Sequence, residues 1–243
     1  LVSLDGTTGN CALEDYPAPR NYPAAVTYNN GEVLACGGED LEDADRCWSF
    51  DGSAWSSLPN SNQLGIHWEY TGNPWIPGPA LPGDEYPSFA CVVNLNTTHT
   101  LMIGGGYPAR RDVWIYDWSS QAWTRTGSLI QGRRSHGCVS LGDLGILVGG
   151  GWVGSDKVYT VELYNPSQGT WSSQPDVPAD SPLLLNWDDQ VLALVWDEDQ
   201  IYQRSEETGE WSVLDGGRLP GYLPYNVDRA VLVPSNWSCN SED

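Results

Sequence analysis

The sequence predicts an all-β protein built from one four-stranded antiparallel unit repeated along the chain. A glycine run recurs with an aromatic tail behind it. Cys36-Gly37-Gly38 precedes Phe50 and Trp55, Gly104-Gly105-Gly106 precedes Tyr116 and Trp123, and Gly149-Gly150-Gly151 precedes Tyr164 and Trp171. A fourth copy keeps only the tail, Tyr202 and Trp211. Repeats of this period mark an array of small sheets that cover one another's apolar faces. Helical periodicity is absent. Short runs of Val, Ile, Leu and Tyr alternate instead with Gly, Pro, Asn and Asp.

The clearest unit runs from Phe89 to Arg125. Its strands, A to D, are expected at 88–93, 100–104, 112–117 and 123–125, with turns at Asn94–Thr98 and Ser119–Gln121. The copies around Gly37 and Gly150 follow the same plan. In the copy ending at Trp211, Ala193-Leu194-Val195-Trp196 stands where glycines belong, so its B–C turn should differ. Trp68-Glu-Tyr70-Thr-Gly72-Asn-Pro-Trp75 mirrors Trp48-Ser-Phe50-Asp-Gly52-Ser-Ala-Trp55 and reads as a C–D half. Only residues 56–67 precede it, too few for strands A and B, so this unit is either truncated or interrupted by a gap in the sequence. Arg229–Val233 reads as a lone strand A, and Val2–Leu4 as an outer strand that closes the array with it.

After strand B the backbone must turn sharply against a neighbouring sheet, where glycine supplies positive φ and room for close approach. The strand C aromatic and the strand D Trp are suited to fill the space between wedge-shaped sheets. The pattern apolar-apolar-Gly-Gly, then Tyr-Asp/Asn, then Trp resembles the kelch motif, from about Ala24 to Trp211. The resemblance implies a kelch-type β-propeller of four-stranded antiparallel blades. Six blades are expected, with five as the alternative, forming a single domain over residues 1–243 whose ring is closed by the N- and C-terminal strands.

The chain carries 32 acidic residues against 11 Lys and Arg, a formal net charge of −21. Such a surface repels nucleic acid and anionic membrane. Acid concentrates at Glu39–Asp45 and at Asp197–Asp199, but no EF-hand spacing is present. No cofactor is therefore expected, calcium being the one candidate, and the scattered His67, His99 and His136 do not suggest a zinc site. Six cysteines and two Asn-x-Ser/Thr sequons, at Asn96 and Asn236, point to an oxidising compartment. With the opening Leu1-Val2, which reads as a mature N-terminus, they make the chain resemble the secreted kelch proteins of animals. Cys36 should pair with Cys47 across neighbouring strands, and Cys11 with Cys239 across the two termini. Cys91 and Cys138 occupy equivalent places in two inner strands and are read either as a bridge or as buried thiols.

A meander places the B–C and D–A loops on one face. Arg110, Arg111, Arg133 and Arg134 fall there and form the candidate binding face. Propellers bind through variable loops on a rigid ring. The expected function is a secreted, non-catalytic glycoprotein that binds other extracellular proteins or serves as a scaffold in an extracellular assembly, with no nucleic acid and no membrane insertion. Carbohydrate binding is the alternative, with Trp68, Trp75, Trp152, Trp187 or Trp196 stacking on sugar rings. A copper oxidase like galactose oxidase would need two His, two Tyr and a Cys clustered at the channel mouth. The three histidines fall at unlike repeat positions. A sialidase-type hydrolase would need an arginine triad, for which Arg110, Arg133 and Arg134 are the candidates.

Overall fold

The structure, a computed structural model, describes residues 24–28, 32–36, 47–51, 54–58, 68–70, 75–77, 89–187, 189–195, 198 and 200–218. The chain divides into two compact units, Pro79–Leu219 and the flanking Leu1–Gly78 with Pro220–Asp243.

In the flanking unit, β1 (Ala24–Tyr28), β2 (Glu32–Cys36), β3 (Cys47–Phe50) and β4 (Trp55–Leu58) form an antiparallel meander in chain order. The register sets Cys36 opposite Cys47, which is disulfide-bonded, and Phe50 opposite Trp55. The expected half unit is present as a two-stranded sheet of β5 (Trp68–Tyr70) and β6 (Trp75–Pro77), and Tyr70 faces Trp75 as Phe50 faces Trp55.

The central unit holds three complete four-stranded sheets. The first is β7 (Cys91–Asn94), β8 (His99–Ile103), β9 (Val113–Asp117) and β10 (Ala122–Arg125). The second is β11 (Gly137–Ser140), β12 (Ile146–Gly149), β15 (Val161–Asn165) and β16 (Thr170–Gln174), with a small hairpin of β13 (Trp152–Val153) and β14 (Asp156–Lys157) inserted after β12. The third is β17 (Leu183–Trp187), β18 (Gln190–Val195), β19 (Gln200–Arg204) and β20 (Trp211–Arg218). The first strands β7, β11 and β17 lie side by side.

Alternation along β12 explains its unbroken apolar sequence. Ile146 and Val148 pack with Leu101, Ile103 and Val113 of the first sheet, whereas Leu147 packs with Leu184, Val191 and Ala193 of the third. A strand buried on both faces has no polar side to show. Each such side chain contributes roughly 1.5–3 kcal/mol on burial. The strand C aromatics sit beside the strand D indoles as expected, with ring centroids 4.9 Å apart for Phe50–Trp55 and Tyr116–Trp123 and 5.1 Å for Tyr164–Trp171. Tyr164 and Trp171 also tie sheets together. The Tyr164 hydroxyl lies 2.7 Å from Thr126 Oγ1, and Trp171 Nε1 donates to Gly127 O at 2.8 Å.

The acid or amide after the strand C aromatic closes the C–D turn. Asp51 Oδ1 accepts from Ala54 N, Asp117 Oδ1 from Ser119 N, and Asn165 Oδ1 from Ser167 N, at 2.9, 2.8 and 3.0 Å. Such Asx turns free the backbone from the ladder. The bonds from Ser119 hold the Asp117 carboxyl down to about 2.

Cys91 and Cys138 are bridged, with Cα atoms 6.1 Å apart, which joins the inner strands of two neighbouring sheets. Cys11, Cys239, Asn236, the acidic run at 39–45 and both strands expected to close the ring lie outside the described residues, as does most of the 196–199 turn. Among the described residues, no helix is long and apolar enough to cross a membrane.

Candidate functional site

The glycine-loop end of the central unit is built from the β8–β9 loop, the β12–β15 loop with its hairpin, and the connections 126–136 and 175–182. Two glycines show why the motif needs them. Gly104 has φ +61°, and a Cβ there would lie 2.6 Å from Arg133 O. Gly150 has φ +72°, and a Cβ there would meet Pro182 and lie 2.7 Å from Asp180 O. Each glycine therefore lets one sheet's B–C loop touch the segment that enters the next sheet.

Under this surface lies a buried ion pair. Arg133 Nη2 donates to Glu162 Oε1 at 2.7 Å and to Thr160 Oγ1 at 2.9 Å, and Nη1 donates to the carbonyls of Gly150 and Thr160, both at 2.7 Å. Glu162 also accepts the backbone N–H of Ile130 at 2.7 Å and of Gln131 at 3.0 Å. The carboxylate thus fastens the whole incoming connection to strand β15. Burial lowers the guanidinium pKa of Arg133 below its usual value, and Glu162 opposes that shift. The expectation that Arg133 belongs to an exposed face is corrected: it is fully buried, because its charge is spent on Glu162 and on carbonyls inside the fold.

Its neighbour Arg134 goes to the surface layer. The Arg134 guanidinium carbon lies 4.1 Å from the Tyr107 ring centroid and 5.9 Å from that of Phe89, and Nη2 donates to Gly154 O at 2.9 Å. Phe89 and Tyr107 meet edge to face at 6.0 Å. The Arg134 backbone also pairs with Trp152, so one residue links the loops of two sheets. At this end of the central unit Phe89 is 53 % exposed, Tyr107 63 % and Tyr159 43 %, with Ile130 and Val153 also exposed. Arg111 is exposed and donates from Nε to Leu129 O at 2.5 Å, whereas Arg110 is half-buried. Arg125 pairs with Asp112, and Lys157 Nζ lies 2.6 Å from Asp180.

Arg110, Arg111, Arg125, Arg133, Arg134 and Lys157 make six of the eleven basic residues of the chain. These six lie at one end of two sheets, and three of them are ion-paired there with Asp112, Glu162 and Asp180. The exposed Phe89, Tyr107 and Tyr159 were missed by sequence reading, which named only tryptophans as exposed candidates. The available signal was Tyr107, next after a glycine loop and outside any strand.

The catalytic alternatives find little support in the geometry. Arg133 and Arg134 enter different environments, so the candidate arginine triad does not converge. His99 sits at the turn end of β8, with Nδ1 2.9 Å from Thr98 Oγ1. His136 is buried at the opposite, glycine-loop end of its sheet. His67 lies outside the described residues. Among the described residues, no three His, Cys, Asp or Glu side chains gather in a metal-binding group. Of the sugar-stacking candidates, Trp152 donates from Nε1 to Ser181 Oγ at 3.0 Å and lies under Lys157, and Trp187 ends strand β17 opposite Gln190, at the other end of its sheet. The side chains of Trp68, Trp75 and Trp196 lie outside the described set.

The Kelch motif family matches residues 132–178, the segment that holds Arg133, Glu162 and the second sheet. The chain is 32 % identical over 104 residues to Kelch-like protein 35 of Mus musculus, covering 43 % of this chain and 17 % of that protein. It is 35 % identical over 102 residues to Kelch-like protein 6 of Homo sapiens, covering 42 % and 15 %. It is 23 % identical over 156 residues to the galactose oxidase of Gibberella zeae, covering 58 % and 23 %. The aligned stretch thus spans less than a quarter of each of these relatives.

Proposed function

From the premise that this chain is a kelch-repeat protein of β-propeller fold, we propose that it is an extracellular, non-catalytic glycoprotein. In this reading it binds a partner protein through the glycine-loop end of its central sheets. The observation that carries the reading is the stack of Arg134 on Tyr107 and beside Phe89, at an end of the central unit that also exposes Ile130 and Tyr159. Aromatic residues and arginine are the side chains that dominate binding energy at protein interfaces. The stack also preorganises its members. Arg134 is held by Gly154 O and by two rings, so little side-chain freedom remains to be lost on binding. The Arg134 guanidinium in that stack favours a partner segment that brings a carboxylate to it.

The test is the affinity for a protein that co-purifies with this chain from the fluid of its source, measured at two salt concentrations. Arg134→Ala and Tyr107→Ala should each weaken binding about tenfold or more, equivalent to about 1.4 kcal/mol. Rising salt should weaken the native complex more than the Arg134→Ala complex. Unchanged affinity in both variants would remove this face from the function. Binding to a neutral glycan that depends on Trp152 would favour the carbohydrate reading instead.

A further inference from the structure

We propose that Asn96 is an acceptor for an N-linked glycan, carried at the end of the first central sheet that lies away from the arginine–aromatic face. The proposal rests on the extracellular reading above for its occurrence in the native protein, and on the β7–β8 turn for its chemistry. Asn96, Thr97 and Thr98 are all exposed in that turn. The Asn96 side-chain oxygen accepts three hydrogen bonds, from Thr98 N at 2.9 Å, Thr98 Oγ1 at 2.9 Å and His99 N at 2.8 Å. Among the described residues, no acceptor engages Asn96 Nδ2. The amide is thus oriented by its oxygen, and its nitrogen, the atom that takes the sugar, is left available.

The hydroxyl that completes the sequon is the one hydrogen-bonded to the acceptor amide. These bonds span only two or three residues, so the turn is specified by its own local sequence. In the finished fold the turn is held from the neighbouring β9–β10 turn, where Trp118 N donates to Thr98 O at 3.0 Å and Trp118 Nε1 donates to Thr100 Oγ1 at 2.9 Å. Trp118 remains 43 % exposed there. A glycan on Asn96 therefore displaces no packed side chain.

The transfer needs a lipid-linked oligosaccharide pyrophosphate as donor and a transferase to join the two. The Nδ2–C1 bond forms as the C1–O bond to the pyrophosphate breaks, the lipid pyrophosphate departs, and one Nδ2 proton passes to base. The five residues of β8, about 17 Å at strand rise, separate this turn from the glycine loops. The glycan thus shields one end of the sheet and leaves the other free for a partner.

The full chain is expressed behind a secretion leader in animal cells, then digested with an amidase that converts a glycosylated Asn to Asp in heavy-oxygen water. The expected result is an isotope-labelled Asp at position 96. Asn96→Asp keeps an acceptor oxygen for the turn but cannot be glycosylated, so it should fold, be secreted and lack one glycan mass step. Thr98→Ala should lack the same step, and Thr98→Ser should retain it. An unlabelled Asn96 in the secreted native sequence overturns the proposal. Protein isolated from its source is mapped in parallel. A bare Asn96 there, with labelling in the leader-driven chain, would overturn the extracellular reading while the acceptor assignment stands.

Discussion

Arg133 reaches Glu162 across 2.7 Å with their side chains 0 % and 2 % exposed, which joins the segment entering the second central sheet to that sheet's third strand. The pair is local to this sheet. Trp48 and Trp114 precede the strand C aromatic by two residues in β3 and β9, where Glu162 precedes Tyr164 in β15.

Removal of one member strands a buried charge, so Glu162→Gln should lose about 3–5 kcal/mol of stability. The double change Arg133→Met with Glu162→Leu leaves no charge behind and should cost less than the two single changes together. Urea unfolding followed by Trp fluorescence decides this. A Glu162→Gln midpoint equal to that of the native chain would mean that the pair holds nothing together.

The Cys91–Cys138 bridge closes a loop of 47 residues between two adjacent inner strands. Chain entropy assigns a bridge of that span about 4 kcal/mol. Cys91→Ser with Cys138→Ser should therefore lower stability by roughly 2–5 kcal/mol, while far-ultraviolet dichroism keeps its β signature. Retention of the native midpoint would show that sheet packing alone fixes the two strands.

His136 gives the chain a pH dependence with a definite sign. Burial and the charge of Arg133 hold its pKa down to about 3 from 6.5, against a smaller opposite effect of the Ile103 backbone. The unfolded chain takes up the proton near pH 6.5, and the folded one waits until about pH 3. Stability is therefore full above pH 6.5 and declines as pH falls through that window, by up to about 1.4 kcal/mol per unit. Native protein should lose about 2 kcal/mol between pH 7 and pH 5 through this group, and His136→Gln should abolish that share. Equal pH slopes for the two proteins would show that His136 charges freely in the folded state.

The repeat was legible because its signals are local. A glycine run, an Asx turn and an aromatic–indole pair each lie within one unit, so the pairing of Tyr116 with Trp123 could be read from their spacing. The fate of adjacent arginines could not. Arg133 turns inward because Glu162, 29 residues later, returns beneath it. Arg134 stays in the surface layer because Tyr107 and Gly154 wait there. The Cys91–Cys138 bridge was left open for the same reason, since it depends on how closely two sheets approach. The exposure of Tyr107 was hidden by a sound rule, that aromatics in such repeats pack between sheets, which fails for a residue outside the strands.

Gly150 tests whether the motif glycines act through close approach. Its φ of +72° alone strains any L side chain, and an added methyl would meet Pro182 and the carbonyl of Asp180, backbone-bound atoms that cannot swing aside. Gly154 has a similar φ of +60° but open space around its Cβ position. Both alanine variants carry the same backbone strain of order 1 kcal/mol, so the difference between them isolates the steric part. Gly150→Ala should destabilise the protein by at least about 2 kcal/mol more than Gly154→Ala, as overpacking of a rigid junction does. Should the two variants unfold at the same urea concentration, the glycine run would be needed for its torsion angles alone, and the third sheet would not be held against the second through Gly150.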